Sequence, residues 1–284
     1  MSYSSLEIGD VTISFAGGGP EPSWELDTAY RAFVTDRKPD IEVVMLQGCS
    51  IAPMGNRVFD NPPVWSMYRQ NATVAIQIFQ HLAPQEQKRT LVFSHPLRTA
   101  DLYFHGKSGR FTSPFYGPTL ELLMINYLAQ GKGAVIHTCG IERAGKGILF
   151  VGESGAGKST LAHLWDKAGA EVLSDDRIIV RKKGDRFWMY GTPWHGDASF
   201  ASRRGVTVER VLFLRQGREN SIKEIKGIDS VSRLITCGFL PHWEPQGMAF
   251  SVDLFTDLAT HVPCSEFTFK PDRSAIEFVK EITG

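Results

Sequence analysis

Nine consecutive residues carry the strongest chemical signal in this chain: Gly152, Glu153, Ser154, Gly155, Ala156, Gly157, Lys158, Ser159 and Thr160. They satisfy the pattern G-x-x-x-x-G-K-[ST]. The glycines let the backbone curl so that successive amides point inward at phosphate oxygens. The N-terminus of a following helix adds partial positive charge. Lys158 then reaches the β- and γ-phosphates, and the Ser159 hydroxyl ligates Mg2+. The expected nucleotide-binding residues are Gly152, Ser154, Gly155, Ala156, Gly157, Lys158, Ser159 and Thr160. No Asn-Lys-x-Asp run for reading guanine occurs, so the expected nucleotide is ATP.

A second group follows at Leu173-Ser174-Asp175-Asp176-Arg177, where an apolar run ends in two carboxylates. In an open α/β sheet that strand end faces the ligand. Two adjacent acids suit a division of labour, one holding the metal and the other taking a hydroxyl proton. The plainer alternative is a solvated Asp-Asp turn between strands. Upstream, His137 closes the apolar run Ala134-Val135-Ile136, where its plain role is one hydrogen bond at a strand end. Downstream stands Gly191-Thr192-Pro193-Trp194-His195-Gly196-Asp197, either a packed turn or a source of further polar groups. Arg143, Lys146, Arg203 and Arg204 are scattered around these motifs as phosphate-binding or surface charges.

The elements that must position these groups are legible from periodicity. Strands are expected at 11–15, 41–46, 73–79, 90–93 and 102–104, with a surface loop between Leu46 and Trp65. The Gly/Ser/Pro-rich stretch 107–118 reads as a linker or long loop. Pro118 then opens a helix that Gly131 ends. Strands at 134–137 and 147–151 precede a helix at 158–168, followed by strands at 171–173, 178–180 and 187–190. Further on come a strand at 208–214, a helix at 230–238, a mixed or helical stretch at 247–261, a strand at 267–269 and a helix at 275–282. Interleaved strands and helices from 118 onward mean an α/β sheet with helices on its faces.

Composition sets the outer bounds. The 284 residues are 42% hydrophobic and 22% charged, the balance of a soluble globular protein. Thirty-one basic and 31 acidic residues cancel, so the charge offers no global case for nucleic acid or an anionic membrane. The four cysteines have no metal-ligand spacing, and the start of the chain lacks the pattern of a secretory signal. The expected compartment is the cytoplasm.

Taken together, Ile136-His137, the strand into residues 152–159, and Leu173 to Arg177 resemble the catalytic domain of HPr kinase/phosphorylase. His137 stands fifteen residues before Gly152 and Asp175 twenty-three after it, the offsets of that family. The resemblance covers about residues 134–180, and Arg204-Gly205 is similar to the Arg-Gly of the family signature. It implies the fold shared with phosphoenolpyruvate carboxykinases, a P-loop on a mixed sheet. Here residues 109–284 would form that domain, preceded by a strand-rich region at 1–108 that is either a separate domain or an extension of the same sheet. It also implies a catalytic set of Asp175, His137 and Lys158: Asp175 as general base, His137 beside the transferred phosphate. Asp176 and Ser159 would support the metal. At the family's metal-binding Glu, two residues before the Arg, stands Ser202. Asp197 is the candidate replacement, with His195 and Arg204 as candidate phosphate or substrate contacts.

The implied activity is ATP- and Mg2+-dependent transfer of the γ-phosphoryl to a hydroxyl of a protein, peptide or metabolite. A nucleotide-sensing module that binds a protein partner is the alternative, and a carboxykinase-like enzyme a third. Because the resembled enzyme assembles into rings, a homo-oligomer is expected.

Overall fold

The computed structural model describes residues 5–17, 28–79, 89–104, 115 and 117–283. The chain divides into two compact units: Met1–Glu7 with Val11–Tyr127, and Ile8–Asp10 with Leu128–Gly284. Most of the expected linker, at 107–114 and 116, lies outside the described residues.

The first unit is built on eight strands: β1 (Ser5–Ile8), β2 (Val11–Gly17), β3 (Ile41–Gln47), β4 (Asn56–Asn61), β5 (Trp65–Gln70), β6 (Thr73–Ile78), β7 (Arg89–Ser94) and β8 (Thr99–Phe104). Helix α1 (Thr28–Arg31) and most of α2 (Thr119–Leu128) belong to it. The strands form one mixed sheet in the order β1-β2-β3-β8-β7-β6-β5-β4. β3 runs parallel to β2 and β8, whereas β4 to β8 pair as an antiparallel meander. β3 shows the alternation that makes a half-buried strand: Ile41, Val43 and Met45 point inward, Glu42 and Val44 outward. The expected loop at 46–65 is corrected here, because β4 forms within it. β4 is an edge strand exposed almost throughout, so no apolar alternation marks it.

The second unit contains β9 (Ala134–Arg143), β10 (Lys146–Val151), α3 (Lys158–Lys167), β11 (Glu171–Ser174), β12 (Arg177–Lys183), β13 (Arg186–Gly191), β14 (Gly205–Gln216), β15 (Ser221–Glu224), α4 (Ile228–Cys237), β16 (Gly238–Phe239), α5 (Pro245–His261), β17 (Cys264–Phe269) and α6 (Arg273–Thr283). These strands form a second mixed sheet, nine-stranded, in the order β10-β9-β12-β13-β14-β17-β15 with β11 and β16 on β9. β10 also pairs with β14, so five strands close into a ring. The length of β14 allows this: its start pairs with β13, its middle with β10 and its end with β17.

Alternation along β10 decides which helices cover which face. Ile148 and Phe150 join a core with Leu161, Ala162 and Trp165 of α3 and Ala275, Ile276 and Val279 of α6. Leu149 and Val151 join the opposite core with Leu234 of α4 and Leu254, Phe255 and Leu258 of α5. A strand apolar at every position is the mark of a sheet covered on both faces. β10, β14 and β17 run parallel, and the connection from β10 to α3 therefore emerges at their common C-terminal edge. Among the described residues no helix is long and apolar enough to cross a membrane.

Candidate active site

The 152–157 loop is held in shape by its glycines and by two strand ends. A Cβ on Gly152 would lie 2.7 Å from the Cβ of Ala156. Gly155 and Gly157 have φ of +81° and +103°, the region that favours glycine. A Cβ on Gly157 would also lie 2.6 Å from the ring of Phe269, at the end of β17. From the end of β14, the Gln216 side-chain amide donates to the carbonyl of Gly155 at 3.0 Å. The loop thus rests on its parallel neighbours before α3 begins.

Lys158 opens α3 and is buried. Its ammonium donates to the carbonyls of Gly152 at 2.8 Å and Glu153 at 2.9 Å, bridging the loop from beneath. Burial pushes its pKa down, and the negative charge of Asp176 leads the opposing influences. Ser159 is half-buried in the first turn of α3, and Thr160 is exposed.

The two aspartates have different surroundings. Asp175 is 1% exposed. One carboxylate oxygen accepts the amide of Gly196 and the other that of Ala198, each at 3.1 Å. Two of its four acceptor sites are thereby filled by the 196–198 turn. Asp176 instead meets His137, whose Nδ1 lies 3.0 Å from one oxygen, while Arg177 donates to the other. Register explains the meeting, since His137 on β9 is the cross-strand partner of Arg177 on β12. Phe239 of β16 packs edge-on against His137 and under the Arg177 guanidinium. Burial works against ionisation of Asp176. The hydrogen bond with His137 and the charges of Arg177, His137 and Lys158 outweigh it, holding the carboxyl below its ordinary range.

The remaining expected residues are dispersed. The His195 ring nitrogen Nδ1 is 2.9 Å from the carbonyl of Gly196, on the turn that grips Asp175. Asp197 is exposed on that turn. Among the described residues no ion pair or hydrogen bond brings its carboxylate to Ser159 or Asp176. Arg204 is engaged elsewhere, with Glu171 at 2.6 Å and Glu142 at 3.2 Å. Glu171 starts β11, four residues before Asp175, so this Arg204 partner lies about 13 Å along the chain from the first aspartate. Ser202 donates to the same Glu171 at 2.8 Å, so it serves this surface cluster. Arg143 and Lys146 line another cavity, of about 640 Å³, at the opposite end of β10.

A cavity of about 550 Å³ adjoins the 152–156 part of the loop. It is also lined by Phe213 and Leu214 of β14 and by Arg233, Thr236 and Cys237 of α4. Nothing local in the sequence marks these residues. They reach the loop only because β14 lies beside β10 and α4 packs beneath.

Among the described residues no three His, Cys, Asp or Glu side chains gather into a cation cage. Mg2+ arriving with a nucleotide does not need one, since phosphates and water supply most of its ligands. The Ser159 hydroxyl and the Asp176 carboxylate are oxygen donors of the kind it takes, and they fit that chemistry.

Comparison with known proteins points the same way as these motifs. No family model matches the chain. The HPr kinase/phosphorylase of Lachnoclostridium phytofermentans is 27% identical over 168 residues, which are 59% of this chain and 52% of that protein. The chain is HPr kinase-like and divergent. It spans about half the length of the curated relative it matches. Among solved structures, the HPr(Ser) kinase/phosphatase from Coxiella burnetii aligns over 52% of this chain and 93% of that chain, with a TM-score of 0.33 and 10% identity.

Proposed function

We propose that this protein is an ATP- and Mg2+-dependent phosphotransferase that moves the γ-phosphoryl of ATP to a hydroxyl of a protein, peptide or metabolite. The observation that carries the reading is the position of Lys158. Its ammonium lies under a glycine-shaped loop at the C-terminal edge of three parallel strands, electrostatically coupled to Asp175 and Asp176. A loop of this kind holds polyphosphate by backbone amides and one lysine. The similarity to an HPr kinase/phosphorylase adds support, and the activity is proposed for residues 109–284, with 1–108 as a strand-rich region. The expected setting is the cytoplasm, with a homo-oligomer as the expected assembly.

In this reading residues 152–160 bind the triphosphate, and Lys158 turns from the loop carbonyls to the phosphates. Ser159 and Asp176 would hold Mg2+, which would supply positive charge against the negative charge of the phosphates. His137 orients Asp176 and stands beside the transferred group. Asp175 is the base: two of its acceptor sites are fixed by the Gly196 and Ala198 amides, and the covering turn would have to shift for an acceptor's hydroxyl to reach the others. His195, on the same turn, is the candidate contact for a phosphate or the acceptor. Phosphoryl transfer needs little more than such positioning and charge neutralisation.

Incubation with γ-labelled ATP, Mg2+ and an extract of the source cells, fractionated by size, tests this. Asp175→Asn should bind ATP as the wild type does while losing transfer by about a hundredfold or more. Lys158→Ala should abolish stabilisation by ATP. Full transfer by Asp175→Asn, with loss in Asp176→Asn, would move the base to the second aspartate.

A further inference from the structure

Arg233, in the penultimate turn of α4, lines the 550 Å³ cavity together with residues 152–156 of the loop. Its guanidinium is not left to wander. One nitrogen donates to the Glu266 carboxylate of β17 at 2.8 Å, and the group lies 5.6 Å from the centre of the Phe213 ring. Phe213 and Glu266 are cross-strand partners on β14 and β17, so sheet register sets both supports. The Arg233 hydrogen bond is the leading cause that holds the Glu266 carboxyl below its ordinary range, and Arg215 adds to it from 3.6 Å. Glu266 occupies only part of a guanidinium that carries five N–H donors. The remaining donors are free to serve the cavity, whose lining also includes residues 152–156 of the loop. A planar, pre-oriented guanidinium in the same cavity as that loop is suited to phosphoryl oxygens.

We propose that Arg233, oriented by Glu266 and Phe213, is a second phosphoryl-binding residue of this cavity, which it lines together with residues 152–156 of the loop. This rests on the nucleotide reading of the loop given above. The ligand chemistry is a phosphoryl group, and it has two sources: the bound nucleotide, or a separate phosphate such as the phosphorylated product. Glu266 is a positioning residue. It keeps the guanidinium on the cavity side, against the mobility of a long side chain at a partly exposed position.

Equilibrium binding of ATP, ADP and inorganic phosphate to the full chain decides the matter, using Arg233→Gln, Arg233→Lys, Glu266→Gln and Lys158→Ala. Arg233 is partly exposed, so its variants keep the fold, and melting without nucleotide verifies that. A charge-assisted bond to phosphate predicts an affinity loss of about tenfold or more in Arg233→Gln. Arg233→Lys should recover part of it, a response that a merely structural arginine would not give. Glu266→Gln should lose less than Arg233→Gln, since the cation remains. Loss for ATP or ADP identifies the nucleotide as the source. Unchanged nucleotide binding with weakened inorganic phosphate binding supports the inference with a separate phosphate. Wild-type affinity for all three ligands in Arg233→Gln, alongside lost ATP binding in Lys158→Ala, overturns the inference and leaves the proposed function standing. Unchanged ATP binding in Lys158→Ala overturns the proposed function itself.

Discussion

At the scale of single residues, Gly157 shows why a short motif can be so informative. Its φ of +103° and the 2.6 Å approach of a would-be Cβ to the Phe269 ring are separate demands for the same residue. Gly155 has only the first demand, because no atom lies within 4 Å of its would-be Cβ. Gly157→Ala is therefore expected to cost about 1–2 kcal/mol in backbone strain alone. The displacement of a buried ring comes on top. Gly155→Ala should show the strain and little else. Urea denaturation of both variants, with ATP titration beside it, measures the difference, and equal losses would refute the role given to Phe269. The aspartates teach a related point. They are neighbours in sequence, yet one oxygen pair faces backbone amides of a distant turn and the other faces His137 and Arg177.

At the scale of elements, α3 and α6 cover the face of the sheet that carries the loop. α6 begins with a side chain that serves its open end. The Asp272 carboxylate accepts the amide of Ser274 at 2.9 Å, satisfying one of the first unpaired donors of the helix. The Lys270 ammonium at 2.8 Å, with the hydroxyl and amide of Ser274, holds this carboxyl at about 2, below its ordinary 3.8. A depressed carboxyl pKa contributes stability that is fully present above the ordinary value and lost as pH falls through the folded one. Asp272→Ala should thus be less stable than the wild type near neutrality. The gap should close between pH 4 and about 2, and a gap independent of pH would contradict the cap. Most elements of the second unit were legible because apolar periodicity marks them. β15, like β4 of the first unit, was not, since the residues of both are mainly exposed and owe their extension to pairing partners.

At the scale of the whole molecule, the second unit is not one continuous stretch of chain. Residues 8–10 belong to it with 128–284. Arg181 of β12 secures them, donating to the carbonyls of Gly9 and Asp10 at 2.9 Å each and to that of Lys132 at 3.1 Å. Lys183 meets the Asp10 carboxylate at 2.5 Å. Removing Arg181 leaves three carbonyls to find other donors. Hydrogen bonds to charged groups are worth about 1.5–3 kcal/mol, so Arg181→Ala should lower unfolding free energy by about that much. An unchanged urea midpoint would mean that residues 8–10 are dispensable to this unit.

What the sequence determined by itself is what depends on local geometry. A tight loop needs glycine, and a doubly covered strand needs unbroken apolar residues; each leaves a contiguous mark. The 152–160 motif, the β10–α3 context and the acid pair were all readable for this reason. Tertiary structure alone decided what depends on residues far apart in the chain. It set the Gly196 and Ala198 amides on Asp175, His137 on Asp176, and Glu142 and Glu171 around Arg204. It also brought Arg233, unmarked in the sequence, to the wall of the cavity beside the loop. Sheet order and register determine such meetings, and no local pattern of residues encodes which strand lies beside which.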